Sequence, residues 1–388
     1  MNTTLTQLVE KYLMSGVMVD VVRKDIFKGA SDGGHPVGYV LLRKCAPDER
    51  NDYLEQVRVF SGVDDMRGWD DYCSWRIVDK QVFDAIEDGD VGFYTRNGAL
   101  RVLLSRKANH NTLLVTERCD NLCLFCSQPP KKEEDDWLLV QSALAIAAFQ
   151  APMLIGISGG EPLLYGQRFV KFIDSVSELS PATSLHVLTN GRAFSDKDYA
   201  SEVAKRCADG KICFGIPLYS LNSDIHDHLV GSEGAFHETV KGLINAGNLG
   251  VPVELRIIPT KKNFSELSSV VEFACRVFSS VSQISIMNLE PTGWAKLNWG
   301  TLYVSPESYS SELRKCIVNG DKGGVPIVLY NYPLCHLDEG LRGRAVKSIS
   351  DWKNYYPEEC GDCSLKKQCG GFFSSSKGRT HHKPRKIL

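Results

Sequence analysis

The sequence predicts an α/β fold built around a partial (β/α)6 barrel. Between residues 108 and 298, six short apolar runs rich in β-branched residues alternate with longer amphipathic stretches. This alternation is typical of parallel strands joined by crossover helices. The competing architecture is an open doubly wound sheet, but no GxGxxG pattern follows the first run to indicate a dinucleotide site.

The predicted strands and helices follow one another along this middle region. The strands are expected at residues 111–117, 153–158, 184–189, 212–219, 251–259 and 283–289. The helices are expected near residues 137–149, 167–179, 196–207, 235–248 and 264–278. Functional residues of such barrels lie in the loops at the carboxyl ends of the strands. The loops after these strands are therefore the first places to search for a site.

Two further regions flank the predicted barrel at residues 108–298. Residues 1–107 carry short apolar segments broken by Asp/Gly and Asn/Gly signals, which predict a small α+β or β-rich domain. Within it, residues 96–98 are typical of a hairpin turn. This domain either covers the barrel or recognises substrate. Residues 299–388 form a cysteine-rich extension that ends in a basic, mobile tail from Lys377.

Composition and charge exclude several classes of partner. The 388 residues carry a formal net charge of -2, which gives no electrostatic reason to expect nucleic acid or membrane as a partner. No apolar run reaches the roughly 18 residues of a membrane-spanning helix, and the N-terminus lacks a signal-peptide pattern. The sequence therefore predicts a cytoplasmic protein. In that compartment, thirteen cysteines favour metal binding over disulfide bonds.

Three cysteines follow the first predicted strand in a CxxxCxxC pattern. Cys119, Cys123 and Cys126 lie within eight residues, so a single loop can wrap one iron-sulfur cluster. Such clusters are normally held by four thiolates, so three close ligands leave one iron without a cysteine. The alternatives are a zinc site and a four-thiolate cluster, each with a fourth ligand from elsewhere.

A glycine turn follows the second predicted strand, at Gly159, Gly160, Glu161 and Pro162. Glycine allows close backbone approach, and the Glu161 carboxylate could accept hydrogen bonds from the ammonium group of a bound amino acid. An ordinary turn with a solvated glutamate is the alternative. Together with the cysteines, the turn resembles the signature of the radical S-adenosylmethionine (SAM) superfamily. That signature is CxxxCxΦC after the first strand, with Phe125 as the aromatic Φ, and GGEP after the second.

The superfamily resemblance implies a 4Fe-4S cluster, bound SAM and reductive cleavage of SAM to a 5'-deoxyadenosyl radical. It implies that Phe125 lies near the adenine, and that the glycine turn meets the methionine end of SAM. Further SAM contacts are implied, with turn or core roles as the alternative, for Thr189 with Asn190, Ser220, Arg256, and Leu289 with Glu290. Because the radical is the reactive group, no conventional catalytic residue is predicted. His226 is expected in a helix-capping or surface position.

Four cysteines of the C-terminal region predict a second metal site. Cys360, Cys363 and Cys369 form a CxxCxxxxxC run, and Cys335 could supply a fourth ligand. The spacing is similar to part of the SPASM or twitch regions of peptide-modifying radical SAM enzymes, which implies one auxiliary 4Fe-4S cluster. A structural zinc site is the alternative. The remaining cysteines are expected to serve packing: Cys45, Cys73, Cys207, Cys213, Cys275 and Cys316.

Three longer segments resemble a narrower family, the C-type radical SAM maturases of His-Xaa-Ser systems. They are residues 109–131, 348–353 and 369–373. The resemblance implies a ribosomally made peptide or protein substrate with His-Xaa-Ser repeats, a second radical SAM protein of the same system, and an electron donor. One alternative is a radical SAM enzyme that acts on a small molecule or activates another enzyme. Another is a non-catalytic zinc or iron-sulfur interaction protein.

Overall fold

A computed structural model describes most of the chain. The described residues are 39–41, 55–58, 75–78, 87, 89–94, 100–347, 354–377 and 384–387. The predicted turn at residues 96–98, Cys45, Cys73 and most of the basic tail lie outside them. The chain divides into two compact units, of which the first comprises residues 1–116, 133–159 and 167–185. The second comprises residues 117–132, 160–166 and 186–388.

The first unit begins with short antiparallel strands. One sheet has the order β1-β4-β5, formed by β1 (Tyr39–Leu41), β4 (Val91–Tyr94) and β5 (Leu100–Leu104). A second pairs β2 (Glu55–Arg58) with β3 (Trp75–Val78). These strands lie in the region for which the sequence predicts a small α+β or β-rich domain, and that domain stays a prediction.

The first unit also contains the start of the central sheet. Parallel strands β6 (Asn111–Thr116) and β7 (Leu154–Gly159) are joined through helix α1 (Asp136–Phe149). Helix α2 (Gln167–Leu179) then leads to β8 (Ser184–Leu188), whose residues belong to both units. Helix α2 is amphipathic and buries Phe169, Phe172 and Ile173, which is the period expected of a helix with one apolar face.

The second unit continues the alternation of strands and helices. Its sheet strands are β9 (Ile212–Pro217), β10 (Val253–Ile257), β11 (Val281–Met287), β12 (Ile327–Tyr330) and β13 (Ala345–Val346). Its helices are α3 (Lys197–Ala204), α4 (Ser223–Val230), α5 (Ala235–Leu249), α6 (Leu267–Val277), α7 (Gly293–Leu297), α8 (Trp299–Leu302), α9 (Ser310–Gly323) and α10 (Glu339–Arg342). A final antiparallel pair is β14 (Asn354–Tyr355) with β15 (Phe372–Phe373).

The central sheet has eight strands in strict chain order, from β6 to β13. This order confirms the predicted α/β fold and differs from a doubly wound sheet, in which the order reverses at a switch point. Strands β12 and β13 extend the sheet beyond the six predicted strands. They have four and two residues, too few for a clear alternation pattern in the sequence. Among the described residues, none of the helices has both the length and the apolar character needed to cross a bilayer.

Candidate functional site

The cysteine loop, residues 119–126, lies in the second unit and is fixed at its centre by helix α4. The N–H of Leu122 donates to the carbonyl of Val230 at 2.8 Å, and the N–H of Leu124 donates to the carbonyl of Leu229 at 2.9 Å. Carbonyls in the last turn of a helix have no partner within the helix. The end of α4 therefore supplies two acceptors that set the path of the loop between its first and last cysteines.

The segment that contains α7 and α8 holds the far end of the cysteine loop. The N–H of Trp294 donates to the carbonyl of Cys126 at 2.9 Å, and the Asn298 amide donates to the carbonyl of Leu124 at 2.7 Å. Gly293 has a φ of +50°, and a Cβ there would lie 2.3 Å from the Cys126 carbonyl oxygen. This close approach requires glycine, so the position of Cys126 depends on a residue far along the chain.

The three thiols of the loop lie near enough to affect one another. Burial raises the pKa of Cys119 to about 12, with smaller contributions from Glu161, Asp120 and Cys126. Burial also raises the pKa of Cys123 and of Cys126, and the neighbouring thiols add to the rise at Cys123. The metal-free loop thus favours neutral thiols, whereas a bound metal would favour thiolates.

The donor set of the cysteine loop fits an iron-sulfur cluster. Three sulfur atoms on one loop match the ligands of a 4Fe-4S cluster that has one iron without a cysteine. Within the described part of the chain, no group of three His, Cys, Asp or Glu side chains already has metal-ligand geometry.

The two glycines of the glycine turn approach protein backbone. Gly159 ends β7, and a Cβ there would lie 2.5 Å from the Thr116 carbonyl oxygen. A Cβ on Gly160 would lie 2.1 Å from the carbonyl oxygen of Arg118, which also accepts the N–H of Glu161 at 2.8 Å. The sequence predicted close backbone approach at these glycines, and the structure shows that Gly160 packs directly against the start of the cysteine loop.

Glu161 binds the protein with both carboxylate oxygens. Its side chain accepts hydrogen bonds from the Thr189 hydroxyl at 2.6 Å, the Asn190 N–H at 2.6 Å and the Leu163 N–H at 2.8 Å. The residue is 1% exposed, and burial raises its pKa to about 7 against the effect of these donors. Three protein donors thus bind this carboxylate, and Pro162 begins the short helix that follows. Contact between Glu161 and the ammonium group of a bound amino acid stays a prediction.

Asn190 and Ser220 make hydrogen bonds at the turns that follow β8 and β9, and their predicted contacts with a cofactor stay predictions. The Asn190 amide donates to Asp120 at 2.6 Å, and its side-chain oxygen accepts the N–H of Arg192 at 3.0 Å. Ser220 is fully buried; its hydroxyl donates to Glu266 at 2.6 Å and accepts the Asn222 N–H at 2.9 Å. Asn190 therefore joins the turn after β8 to the cysteine loop, while Ser220 joins the turn after β9 to Glu266.

Phe125 and Leu289 lie in one apolar cluster, although 164 positions separate them in the sequence. Tyr219 belongs to the same cluster and meets Phe125 edge to face, with ring centroids 4.9 Å apart. Cys123 packs against this cluster. The sequence did not identify Tyr219 as a candidate. Its position at the end of the predicted strand 212–219, where barrel sites lie, could have done so. The cluster gives the cysteine loop an apolar wall that limits water near the thiols.

Arg256 lies among polar residues on one face of the sheet. Its Nη2 is 2.9 Å from the Met287 sulfur, and its buried Nε has no hydrogen-bond partner among the described residues. Nearby, His186 Nε2 and Glu254 Oε2 lie 2.6 Å apart. Gly215 lies beneath this group, since a Cβ there would be 3.1 Å from Arg256 and 3.2 Å from His186. In the sequence, His186 and Glu254 are polar residues within the apolar predicted strands 184–189 and 251–259. That pattern could have identified them as candidate site residues.

His226 is buried rather than capping or exposed. It lies in α4 and is 1% exposed. Burial lowers its pKa to about 4, so the ring is neutral near pH 7 and its Nδ1 accepts the N–H of Tyr219 at 3.3 Å. The apolar environment between Tyr219 and Phe236 disfavours the charged imidazolium that a surface position would allow.

The four C-terminal cysteines lie together in the second unit. Burial raises the pKa of Cys360 to about 11, and the thiols of Cys335, Cys369 and Cys363 add to it. The Cys369 sulfur accepts the N–H of Leu334 and the N–H of Gly371, each at 3.3 Å. As a set of donors, four cysteine sulfurs suit either an iron-sulfur cluster or zinc.

The central part of the chain is similar to known enzymes. Residues 113–274 match the family model of the Radical SAM superfamily. The chain is 29% identical over 184 residues to a GTP 3',8-cyclase of Campylobacter jejuni, covering 44% of this chain and 53% of that protein. It is 23% identical over 262 residues to a probable GTP 3',8-cyclase of Pyrobaculum aerophilum, covering 65% of this chain and 77% of that protein.

A solved structure with partial similarity is the crystal structure of Streptococcus suis SuiB bound to S-adenosylmethionine. It has 17% identity and a TM-score of 0.41, over 56% of this chain and 46% of that chain. The chain spans about half the length of the first curated relatives that it matches.

The superfamily match contains the cysteine loop and the glycine turn and leaves out the C-terminal cysteines. It confirms the superfamily prediction for residues 113–274. The relatives are named as cyclases, and they do not support the narrower prediction of a His-Xaa-Ser maturase.

Proposed function

Because residues 113–274 match the radical SAM superfamily, we propose that this chain is an enzyme that reductively cleaves SAM. The observation that carries the proposal is the packing of the glycine turn on the cysteine loop, where Gly160 has no room for a side chain beside Arg118. This contact brings the two halves of the superfamily signature together. Cys119, Cys123 and Cys126 would hold a 4Fe-4S cluster, which would supply the electron needed for reductive cleavage of SAM to methionine and a 5'-deoxyadenosyl radical.

The protein's own residues position and enclose this chemistry. Glu161 holds the turn after β8 in place through Thr189 and Asn190. Phe125 and its apolar neighbours exclude water from one side of the loop. Within the part of the chain that the structure describes, the Arg256 Nε–H has no hydrogen-bond partner, which suits the carboxylate that an amino-acid cofactor carries. Protecting a reactive species from water is a general requirement of radical chemistry in an enzyme.

We infer that the substrate is a ribosomally made peptide or protein, of the His-Xaa-Ser type implied by the sequence resemblance. The four-cysteine region supports this inference, because its spacing is similar to auxiliary regions of peptide-modifying enzymes. A second radical SAM protein and an electron donor complete the proposed system. A nucleotide substrate is the second candidate, and the relatives named GTP 3',8-cyclase favour it.

The test begins with anaerobically reconstituted full-length protein, dithionite and SAM. The expected product is 5'-deoxyadenosine, and its absence from fully iron-loaded protein would contradict the proposal. Two further reactions separate the substrates: one contains a peptide with His-Xaa-Ser repeats and the other contains GTP. A mass change in the peptide alone supports peptide modification, whereas conversion of GTP alone overturns it in favour of the second candidate.

A further inference from the structure

Arg192 joins the cysteine loop to two neighbouring segments of the second unit. Its Nη1 donates to the carbonyl of Asp120 at 3.0 Å, to the Asn121 side-chain oxygen at 2.8 Å and to the Ser232 hydroxyl at 3.1 Å. Its Nε donates to Glu238 at 2.6 Å. The side chain is 15% exposed. One guanidinium therefore holds the loop against the segment after α4 and against α5.

The Arg192 contact acts on the peptide group between Asp120 and Asn121. Arg192 binds the carbonyl of this peptide, while the N–H of the same peptide donates to the Cys119 sulfur at 3.4 Å. In a trans peptide the C=O and N–H lie in one plane and point in opposite directions. A donor that fixes the carbonyl on one side therefore aims the N–H at the sulfur on the other side.

The contacts of the Asp120 side chain agree with this orientation. The Asp120 carboxylate is held from the same side, by the Asn190 amide at 2.6 Å and by Arg192 Nη1 at 3.2 Å. Both the carbonyl and the side chain of Asp120 are thus fixed, which leaves the peptide little freedom to rotate.

We propose that Arg192 is a positioning residue that orients the Asp120–Asn121 peptide so that its N–H donates to the Cys119 sulfur of the bound cluster. Hydrogen bonds to ligand sulfurs stabilise the more negative, reduced form of an iron-sulfur cluster and raise its reduction potential. This inference rests on the proposed function, because it assumes that Cys119 binds a cluster. Arg192 acts on the cluster through this peptide and does not bind iron.

The experiment compares full-length wild-type protein with Arg192→Ala and Arg192→Lys. Hydrogen exchange of the metal-free proteins reports the order of residues 119–126, and we expect about tenfold faster exchange at the Asn121 amide in Arg192→Ala. The cluster-loaded proteins are then titrated with a reductant while the SAM-sensitive electron paramagnetic resonance signal is followed. The midpoint potential of Arg192→Ala should be lower than that of the wild type. Arg192→Lys keeps the charge but lacks the fork of donors, so it should resemble the alanine variant.

Arg206→Ala is the matched control, because Arg206 is also partly buried and pairs with Glu202, four residues earlier in α3. Unchanged exchange, or an unchanged potential in a loaded Arg192 variant, would overturn the proposal. Equal changes in the control would also overturn it, since they would indicate general destabilisation. Should the alanine variant fail to fold, the lysine variant decides by the same two readouts. If the wild-type protein binds no cluster on reconstitution, the proposed function is contradicted. The hydrogen-exchange measurement would still test whether Arg192 orients the Asp120–Asn121 peptide.

Discussion

The two cysteine-rich regions of the second unit differ in the number of donors and in what holds them. The cysteine loop has three thiols, and the carbonyls and N–H groups of its backbone bind to segments far away in sequence, including α4 and α7. The C-terminal region has four thiols, and Cys369 accepts both a local N–H, from Gly371, and a more distant one, from Leu334. Only the first region lies inside the superfamily match.

Under the proposed function, this difference separates a reactive cluster site from a closed one. Three thiolates on a cubane leave one iron open to an exogenous ligand, whereas four complete its coordination. An open site must keep its geometry without the fourth ligand, and the cysteine loop is accordingly fixed by surrounding backbone. The C-terminal thiols could be organised by the metal itself, as in small structural metal sites.

The strongest test of the comparison removes one thiol of the open site. Cys123→Ala should abolish formation of 5'-deoxyadenosine, because two remaining thiolates do not hold the cluster for SAM cleavage. Product is measured by chromatography after anaerobic reduction with dithionite. Cys275→Ala, at a partly buried cysteine of α6, is the control and should retain the wild-type rate. A Cys123→Ala protein that keeps both iron and activity would contradict the assignment of the loop.

Removing a thiol of the closed site should have a smaller effect. For Cys369→Ala we expect iron to fall from about eight to about four atoms per chain. SAM cleavage without substrate should persist, because the cysteine loop is intact. Metal analysis by mass spectrometry and an activity assay check both parts. Loss of one zinc with iron unchanged would instead show that the C-terminal site is structural zinc.

Glycine substitutions should affect the two regions separately. A Cβ at Gly160 would lie 2.1 Å from Arg118, and one at Gly371, where φ is +70°, would lie 2.8 Å from Tyr355. Each alanine variant should lose about 1–3 kcal/mol of unfolding free energy through overpacking or backbone strain. Gly340→Ala is the control, since nothing lies within 4 Å of its Cβ position. Denaturant unfolding with metal analysis should show that Gly160→Ala weakens the first site and Gly371→Ala the second.

The smallest expected effect is on the pH dependence of stability. Burial raises the pKa of Glu161 from 4.5 to about 7, so the folded protein binds this proton more tightly than the unfolded chain. The stabilisation from the proton is complete below about pH 4.5 and is lost as the pH rises through 7. Glu161→Gln should therefore show a smaller fall in Tm between pH 5 and pH 8 than metal-free wild type does.

Glu272→Gln is the control for the pH measurement, because this carboxylate lies exposed on α6. It should follow the wild-type Tm at both pH values. An unchanged pH dependence in Glu161→Gln would show that the carboxylate of Glu161 does not titrate between these pH values in the folded protein.

Much of the fold was predictable, because strands and helices of ordinary length leave a pattern in the sequence. Helix α2 begins and ends where the pattern placed it, and each of the six predicted strands is present within a few residues. Strand β12 was not predicted, because four residues are too few to show a period. The cysteine loop and glycine turn were predictable as candidates, since both are short continuous motifs. The burial of His226 was not, because it depends on the rings that pack around it.

The sequence by itself determined which donors are present and in what order: three thiols, then a glycine turn with one carboxylate, then four more thiols. The tertiary structure decided what those groups bind. Glu161 accepts hydrogen bonds from Thr189 and Asn190, and Arg192 donates to the carbonyl of Asp120, 72 positions earlier. The physical reason is that spacing is a local property of the chain. A hydrogen-bond partner and a desolvation cost depend instead on residues that only folding brings into contact.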